Sequence, residues 1–349
     1  MNRILVIKNK GGIGDALVST PVFTNLKKRF PGCKITLLAS PYNEEIFKGN
    51  PYIDEIIVDR GQVKGFKPFE FWRLRNLMAR RKFDAAIILW DTARSAWLCY
   101  LAGVPLRVGK GNSAISRKLL NKIAEVRSEE DHKSHWLEFL LDHIRTLGIE
   151  CNLKELVLVI PPEAGLYVDE LLKKNGIKKD EKVIGIHPGK GLPELHKKKW
   201  PRKLFAGISI ELHKKFPDAK IIFTGSPGEV PLVKEIVKMA DNSVIDLSGR
   251  TGVMELACLI SRCSFFICPD SGPMHLAAAV KTPVVAIYAL NSDLPFRWYP
   301  YDVEHYIVHK EGQCRKQCIK ETCRDFTCLE VLTVEDVMAG VEKLSAKNS

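Results

Sequence analysis

Short apolar runs alternate with amphipathic stretches along most of the chain. Residues 3–8 (RILVIK), 34–40 (KITLLAS), 53–59 and 85–90 (AAIILW) are dominated by Ile, Leu, Val and Ala. Runs of that length, separated by charged segments with helical spacing, predict buried parallel strands with helices between them. Residues 15–30 read as the first helix, started or kinked by Pro21. The same grammar restarts later. Strands are expected over 182–187 (KVIGIH), 220–224 (KIIFT), 244–247, 265–268 and 284–288. Helices are expected over 202–215, 229–240, 253–261 and 272–280. The stretch 155–182, with Pro161-Pro162 and the polar run KKNGIKKDEK, reads as a linker. The pattern predicts two doubly wound α/β domains in tandem, whose ligands sit beyond the carboxyl ends of the strands. Two such domains facing each other would enclose a central cleft.

A length of 349 residues fits two domains, each able to bury a core. With 46% hydrophobic and 27% charged residues the composition is that of a soluble protein. The longest apolar stretches, AWLCYLAGVPL and PVVAIYAL, are too short to span a bilayer. The start MNRILVIKNK reads as a strand and not as a signal peptide, so a cytoplasmic protein is expected. The net charge of +12 favours an acidic partner: nucleic acid, an anionic membrane surface or a phosphorylated substrate. Residues 64–82 (KGFKPFEFWRLRNLMARRK) concentrate seven Lys/Arg against Glu70, with Phe66, Phe69, Phe71 and Trp72 interleaved. One reading is a solvated helix face. The other is a surface for an anionic amphiphile such as lipid phosphates. No helix-turn-helix, zinc-finger or RNA-binding signature accompanies it, which disfavours nucleic acid.

The chemistry-bearing motifs follow strands. The first is GGIGDALVSTP, residues 11–21, where Gly12 and Gly14 free the backbone for close approach and Asp15 follows at once. It is not a dinucleotide fingerprint, because Leu17 stands where the third glycine belongs. There is no P-loop, no G-x-S-x-G elbow, no H-E-x-x-H and no D-x-D. A phosphate in the loop would be repelled by Asp15. The loop is then either a plain turn or the support of an acid that works beside a substrate. The second motif is HPGKGLPELHKKKWP, residues 187–201, with Lys190 and Lys197–Lys199. The third is CPDSGPMHLAAA, residues 268–279. There Asp270 or Ser271 caps a helix, Pro273 fits its first turn, and Gly272 lets an anion reach the exposed N–H groups. Six of the ten cysteines sit in apolar surroundings and read as reduced core residues. Cys314, Cys318, Cys323 and Cys328 cluster, but not at a usual zinc spacing.

Together, GDALVSTP with Asp15, the KKWP element with Lys198, and PDSGPMHLAAA resemble glycosyltransferase family 9, the ADP-heptose:lipopolysaccharide heptosyltransferases. The resemblance runs over most of the chain, including the late cysteines and the closing LTVEDVMAGVEKL. It implies a GT-B fold: two Rossmann-like domains facing a central cleft. Residues 1–165 would bind the acceptor and 166–332 the nucleotide sugar, and a helix over 333–349 would pack back towards the N-terminal domain. It implies a cytoplasmic, inverting, metal-independent enzyme at the inner face of the inner membrane. That enzyme would move heptose from ADP-heptose to an anionic inner-core lipopolysaccharide precursor, with no cofactor.

Residue by residue, Asp15 matches the catalytic base and Lys198 the lysine that binds donor phosphate. Glu229 stands where a carboxylate contacts the adenosine ribose, Asp270 where an acid holds sugar hydroxyls. Ser271, Gly272 and His275 match the phosphate-binding helix start. Gly12 and Gly14 would admit the acceptor sugar. Arg73, Arg75 and Arg80 would face its carboxylates and phosphates, or the membrane. Two other readings stay open: a GT-B enzyme using another nucleotide sugar, and a non-catalytic nucleotide-sugar-binding protein.

Overall fold

The computed structural model describes residues 1–62, 67–90, 92–127, 134–190, 201–240, 244–291, 294–311 and 326–346. The chain divides into two compact units, Met1–Val159 and Ile160–Ser349. The first is built on β1 (Arg3–Lys8), β2 (Lys34–Ala39), β3 (Glu55–Val58), β4 (Ala85–Ile88), β5 (Leu106–Gly109) and β6 (Lys122–Ile123). They pair in the order β3-β2-β1-β4-β5-β6, parallel throughout. The second is built on β7 (Val183–Ile186), β8 (Lys220–Phe223), β9 (Ile245–Asp246), β10 (Cys263–Pro269), β11 (Val284–Tyr288) and β12 (His305–His309). Their order is β12-β11-β10-β7-β8-β9, again parallel. Both sheets therefore grow outward from their first strand and then reverse. The reversal falls between β1 and β4 in one unit and between β7 and β10 in the other. At such a point the loops leaving the two strands diverge, and a crevice opens beyond their carboxyl ends.

Strand burial explains the apolar runs. In the first unit Leu5, Ile7, Leu38, Ala86 and Ile88 pack against Phe71, Leu74 and Met78 of helix Pro68–Arg81 and Leu98 and Cys99 of helix Ala93–Leu101. In the second, β8 divides its side chains by alternation. Ile221 and Phe223 join the core under helix Arg202–Lys215, and Ile222 joins the one under helix Pro162–Lys174.

The doubly wound α/β reading holds, and several details differ from the sequence expectation. Three strands were not foreseen. β6 has two residues, β5 is half-exposed over its first two, and β12 is flanked by histidines. The segment read as a linker contains a helix, Pro162–Lys174, that starts on its prolines and buries Val168 and Leu172. The expected helix over 15–30 is two, Ile13–Leu17 and Thr20–Arg29, with Pro21 in the first turn of the second. Ser19 and Thr20 donate back to the carbonyls of Ala16 and Leu17, 2.6 and 2.7 Å away, and so close the first helix. The units divide at residues 159/160, not 165/166. The final helix is Val334–Ser345. It lies on β11, β12 and helix Arg202–Lys215, where Val337, Val341 and Leu344 join the C-terminal core.

Candidate active site

In the first unit the site begins with the last residue of β1. Lys8 is still in register with β2 and is fully buried. Its Nζ lies 3.6 Å from Asp15 Oδ1 and 4.8 Å from the centre of the Trp90 ring. Burial pushes the Lys8 ammonium below its ordinary pKa, and the Asp15 carboxylate pulls it back up. The chain then turns through Gly11, whose φ of +92° suits glycine; a Cβ there would sit 2.6 Å from that of Asp15. Gly12 begins the helix, and its N–H donates to Asp15 Oδ2 over 3.2 Å. The glycine loop therefore turns the N–H of its cap residue onto its own acid. Asp15 stays about a quarter exposed, braced on one oxygen and open to solvent.

The floor beneath this acid is a buried polar network. Asp59, fully buried after β3, takes two bonds from Arg94, at 2.5 and 3.0 Å, and one from Asn9 Nδ2 at 2.8 Å. Asn43 donates to the carbonyl of Lys8. Beyond the ends of β4 and β5 a pocket of about 180 Å³ is lined by Trp90, Lys110, Asn112, Trp136, Phe139 and His143. Trp90 thus borders both the Lys8–Asp15 pair and this pocket.

In the second unit the loops after β10, β7 and β8, three neighbouring strands, carry the other candidates. Ser271 occupies the cap position of helix Gly272–Ala279, yet its hydroxyl turns back to the carbonyl of Pro269, 3.1 Å away. The expected side-chain cap is not made, so the first N–H groups face outward. His275 is buried in this helix, edge-on to Trp298 at 5.9 Å. Lys190, 5% exposed, places Nζ 3.6 Å from Asp270 Oδ2. After β8, Glu229 accepts from the Ser226 N–H and hydroxyl, each at 2.8 Å, and lies 3.6 Å from His187 Nε2. Gly189 lies against this carboxylate: a Cβ there would fall 1.9 Å from Glu229 Oε1, so any larger residue would have to displace it.

The structure thus gathers Gly12, Gly14 and Asp15 at one strand end, and Glu229, Asp270, Ser271, Gly272 and His275 at another. Lys198 lies outside the described residues. The arginines divide. Arg73 sits near the end of β3, donating to the Val58 carbonyl and to Glu70. Arg75 reaches the carbonyl of Leu101, and Arg81, beside Arg80, pairs with Glu55 at the start of β3. Arg75 and Arg80 therefore lie towards the ends where the strands begin, away from the carboxyl end of β1 that carries Asp15. A helix of 14 residues is long enough to separate the two ends by about 20 Å. The sequence reading gives Arg73, Arg75 and Arg80 one surface, towards the acceptor or the membrane; the helix spreads them along its length.

Sequence reading missed Lys8, Trp90 and the Asn9–Asp59–Arg94 network. The available signal was a lysine closing an otherwise apolar strand immediately before a glycine loop. The six scattered cysteines are buried free thiols, with burial pushing Cys151 up to about 11 and Cys263 up to about 12. Cys328 is also a buried free thiol, while Cys314, Cys318 and Cys323 lie outside the described residues. Among the described residues, no helix is long and apolar enough to cross a membrane.

Two parallel doubly wound units in tandem are the architecture of the GT-B glycosyltransferases, and solved structures share it over nearly their whole length. A glycosyl transferase family 9 structure from Veillonella parvula DSM 2008 superposes with a TM-score of 0.85 at 25% identity, covering 99% of this chain and 98% of that one. The E. coli heptosyltransferase WaaC with ADP gives a TM-score of 0.72 at 16% identity, covering 98% and 99%. An Escherichia coli protein named lipopolysaccharide heptosyltransferase 3 is 26% identical over 343 residues, 95% of this chain and 96% of its own. The model of glycosyltransferase family 9 (heptosyltransferase) matches residues 71–327. The chain belongs to that family and is a glycosyltransferase.

Proposed function

We propose that the protein transfers a heptose from ADP-heptose to an anionic inner-core lipopolysaccharide precursor, with inversion and without a metal. The observation that carries the reading is Asp15: a carboxylate on a glycine turn at the switch point, braced by the Gly12 N–H and by buried Lys8, with one face open. A protein that only bound nucleotide sugars would have no use for it. Asp15 takes the proton of the acceptor hydroxyl as that oxygen attacks the anomeric carbon, and ADP leaves from the opposite face. The outward N–H groups at Gly272, with Lys198, stabilise the charge growing on the leaving phosphate. Asp270 holds sugar hydroxyls and Glu229 the ribose. The lipopolysaccharide names of the relatives and the ADP in the WaaC structure support this choice of donor and acceptor. A binding screen with ADP-heptose, ADP-glucose, UDP-GlcNAc and GDP-mannose, followed by transfer assays with the preferred donor, tests it. Preference for ADP-heptose with turnover is expected. Preference for a UDP or GDP sugar would favour another glycan, and tight binding without turnover on any acceptor would favour a binding protein.

The same reading places the protein against an anionic membrane at the cytoplasmic face. Helices Pro68–Arg81 and Ala93–Leu101 cover one side of the first sheet, and each leaves aromatics in water. Phe69 is 84% exposed, Trp72 53%, Trp97 40% and Tyr100 50%. Lys67, Arg80 and Lys82 are exposed on the same helix and its flanks. Aromatic side chains with a cationic border suit a lipid headgroup layer. The protein should co-sediment with anionic vesicles and not with neutral ones. A Phe69→Ser/Trp72→Ser variant should lose most of that binding and keep its melting temperature. Unchanged binding by the variant would sink the assignment of this face.

A further inference from the structure

The pocket beyond the ends of β4 and β5 suits a small ligand that is apolar on its faces and polar at its rim. Trp90, directly after β4, lines it, as do Trp136 and Phe139 of helix Trp136–Arg145, whose rings stack at 5.1 Å. Asn112 and His143 add polar groups, and half-buried Val126 completes the lining after β6. The helix is fixed against this lining. Its Asp142, 5% exposed, accepts from the N–H and Nε of Arg127, the residue after Val126, at 3.0 and 2.8 Å. The pocket is therefore pre-formed. Its size selects the ligand. A volume of about 180 Å³ corresponds to roughly six waters, the room of one sugar ring. Sites for drug-sized ligands, nucleotides included, take about 300–1,000 Å³. Its surface agrees, because a pyranose has C–H faces that lie against aromatic rings and hydroxyls that need polar partners. Its place agrees too. The buried Lys8 ammonium stands 3.6 Å from Asp15 Oδ1 and 4.8 Å from the centre of the Trp90 ring, so one side chain ties the acid to the ring.

We propose that this pocket holds one pyranose unit of the acceptor against Trp90, and that Trp90 is the residue that sets the attacked hydroxyl in front of Asp15. The inference rests on the acceptor reading above, in which Asp15 takes the proton of that hydroxyl, and it names the groups that hold the sugar. A misplacement of about 1 Å can cost a reaction about 10²-fold. An indole tied to the base through a shared ammonium limits such slippage. Room for a single ring also confers selection: a unit branched on its buried side does not enter.

Ligand-observed NMR of the full-length protein with the methyl glycosides of a heptose, of an octulosonic acid and of glucose tests the pocket without donor or turnover. At least one should bind, and the one that binds names the unit. Val126→Trp fills the pocket from a half-buried position and should abolish that binding. Trp90→Ala should weaken it about 10-fold or more, and Trp90→Phe by less than about threefold. In transfer assays the acceptor KM should rise about 10–50-fold in Val126→Trp and Trp90→Ala, with donor affinity within about twofold of wild type. Sugar binding that survives Val126→Trp, or an unchanged acceptor KM in that variant, overturns the inference. So does a wild type that transfers sugar and binds none of the three glycosides. If Trp90→Ala lowers kcat at constant acceptor KM, Trp90 only braces Lys8 and the inference fails. A glycoside whose binding is lost in both variants, in a protein that glycosylates no acceptor, upholds the pocket and fails the transferase reading instead. Thermal melts establish that each variant is folded, and Val126→Trp decides the matter should Trp90→Ala not fold.

Discussion

Asp15→Asn is expected to lower the transfer rate by about 10²–10⁴-fold, the usual range for removing a general base, while donor affinity stays within about twofold. The substitution keeps the shape of the side chain and its bond from the Gly12 N–H, since the amide oxygen still accepts. What it removes is the basic lone pair and the charge facing Lys8. Single-turnover transfer and donor titration measure the two halves separately. A variant that kept more than a tenth of the wild-type rate would remove Asp15 from the chemistry.

The neighbouring lysine gives this prediction a second edge. Lys8 Nζ lies 3.6 Å from Asp15 Oδ1 and helps to fix the side chain over the turn. In Lys8→Met the transfer rate should therefore fall while donor affinity stays within about twofold. Stability should move the other way. Burial lowers the folded-state pKa of Lys8 below the ordinary 10.5. Between those two values the unfolded chain holds a proton that the folded chain lacks, so the group's contribution to stability rises with pH. Below the folded value the charged form must be buried, and its cost is felt in full. Removing the charge should thus raise stability at neutral pH by about 1 kcal/mol, the behaviour of a group kept for activity at the expense of stability. A wild-type rate in Lys8→Met would mean that Lys8 only fills space.

Much of the scaffold was legible because the central strands of a parallel sheet are apolar on both faces. β1, β2, β7 and β11 could be read as unbroken runs. The edge strands β6 and β12 and the half-exposed β5 beside β6 were not, since a short or partly exposed strand looks like a loop. Asp15 and the D-S-G turn stood out because Gly and Asp directly after an apolar run are costly unless the backbone or a ligand needs them. Lys8 did not stand out, although its carboxylate, Asp15, follows on the same turn. Lys190 was visible in its lysine-rich stretch, but its burial beside Asp270 joins two strand ends that the sequence alone does not pair. The arginines of 73–81 were assigned to one surface although their helix spreads them along its length.

Arg94→Leu is expected to destabilise the first unit by about 3–5 kcal/mol, because it removes a forked guanidinium from a buried carboxylate. Asp59 is fully buried, and Arg94 grips it with two nearly parallel bonds while lying over the Phe71 ring at 5.9 Å. Asn9 Nδ2 and the Gly61 N–H, which also donate to Asp59, are neutral and do not match a guanidinium. At roughly 2–4 °C per kcal/mol for a unit of this size, the melting temperature should drop by about 6–20 °C. Arg94→Lys should recover part of the loss, keeping the charge and losing the fork. A double variant, Asp59→Leu/Arg94→Met, removes both charges and should regain most of the stability. It should not regain activity. Asn9 would then lose the acceptor that holds it immediately after Lys8, and the floor under Asp15 would no longer be tied to the loop after β3. Urea unfolding and single-turnover transfer on the same samples separate the two effects. A double variant as active as wild type would show that the network serves stability alone, and a loss below about 1 kcal/mol in Arg94→Leu would show that water reaches Asp59 after all.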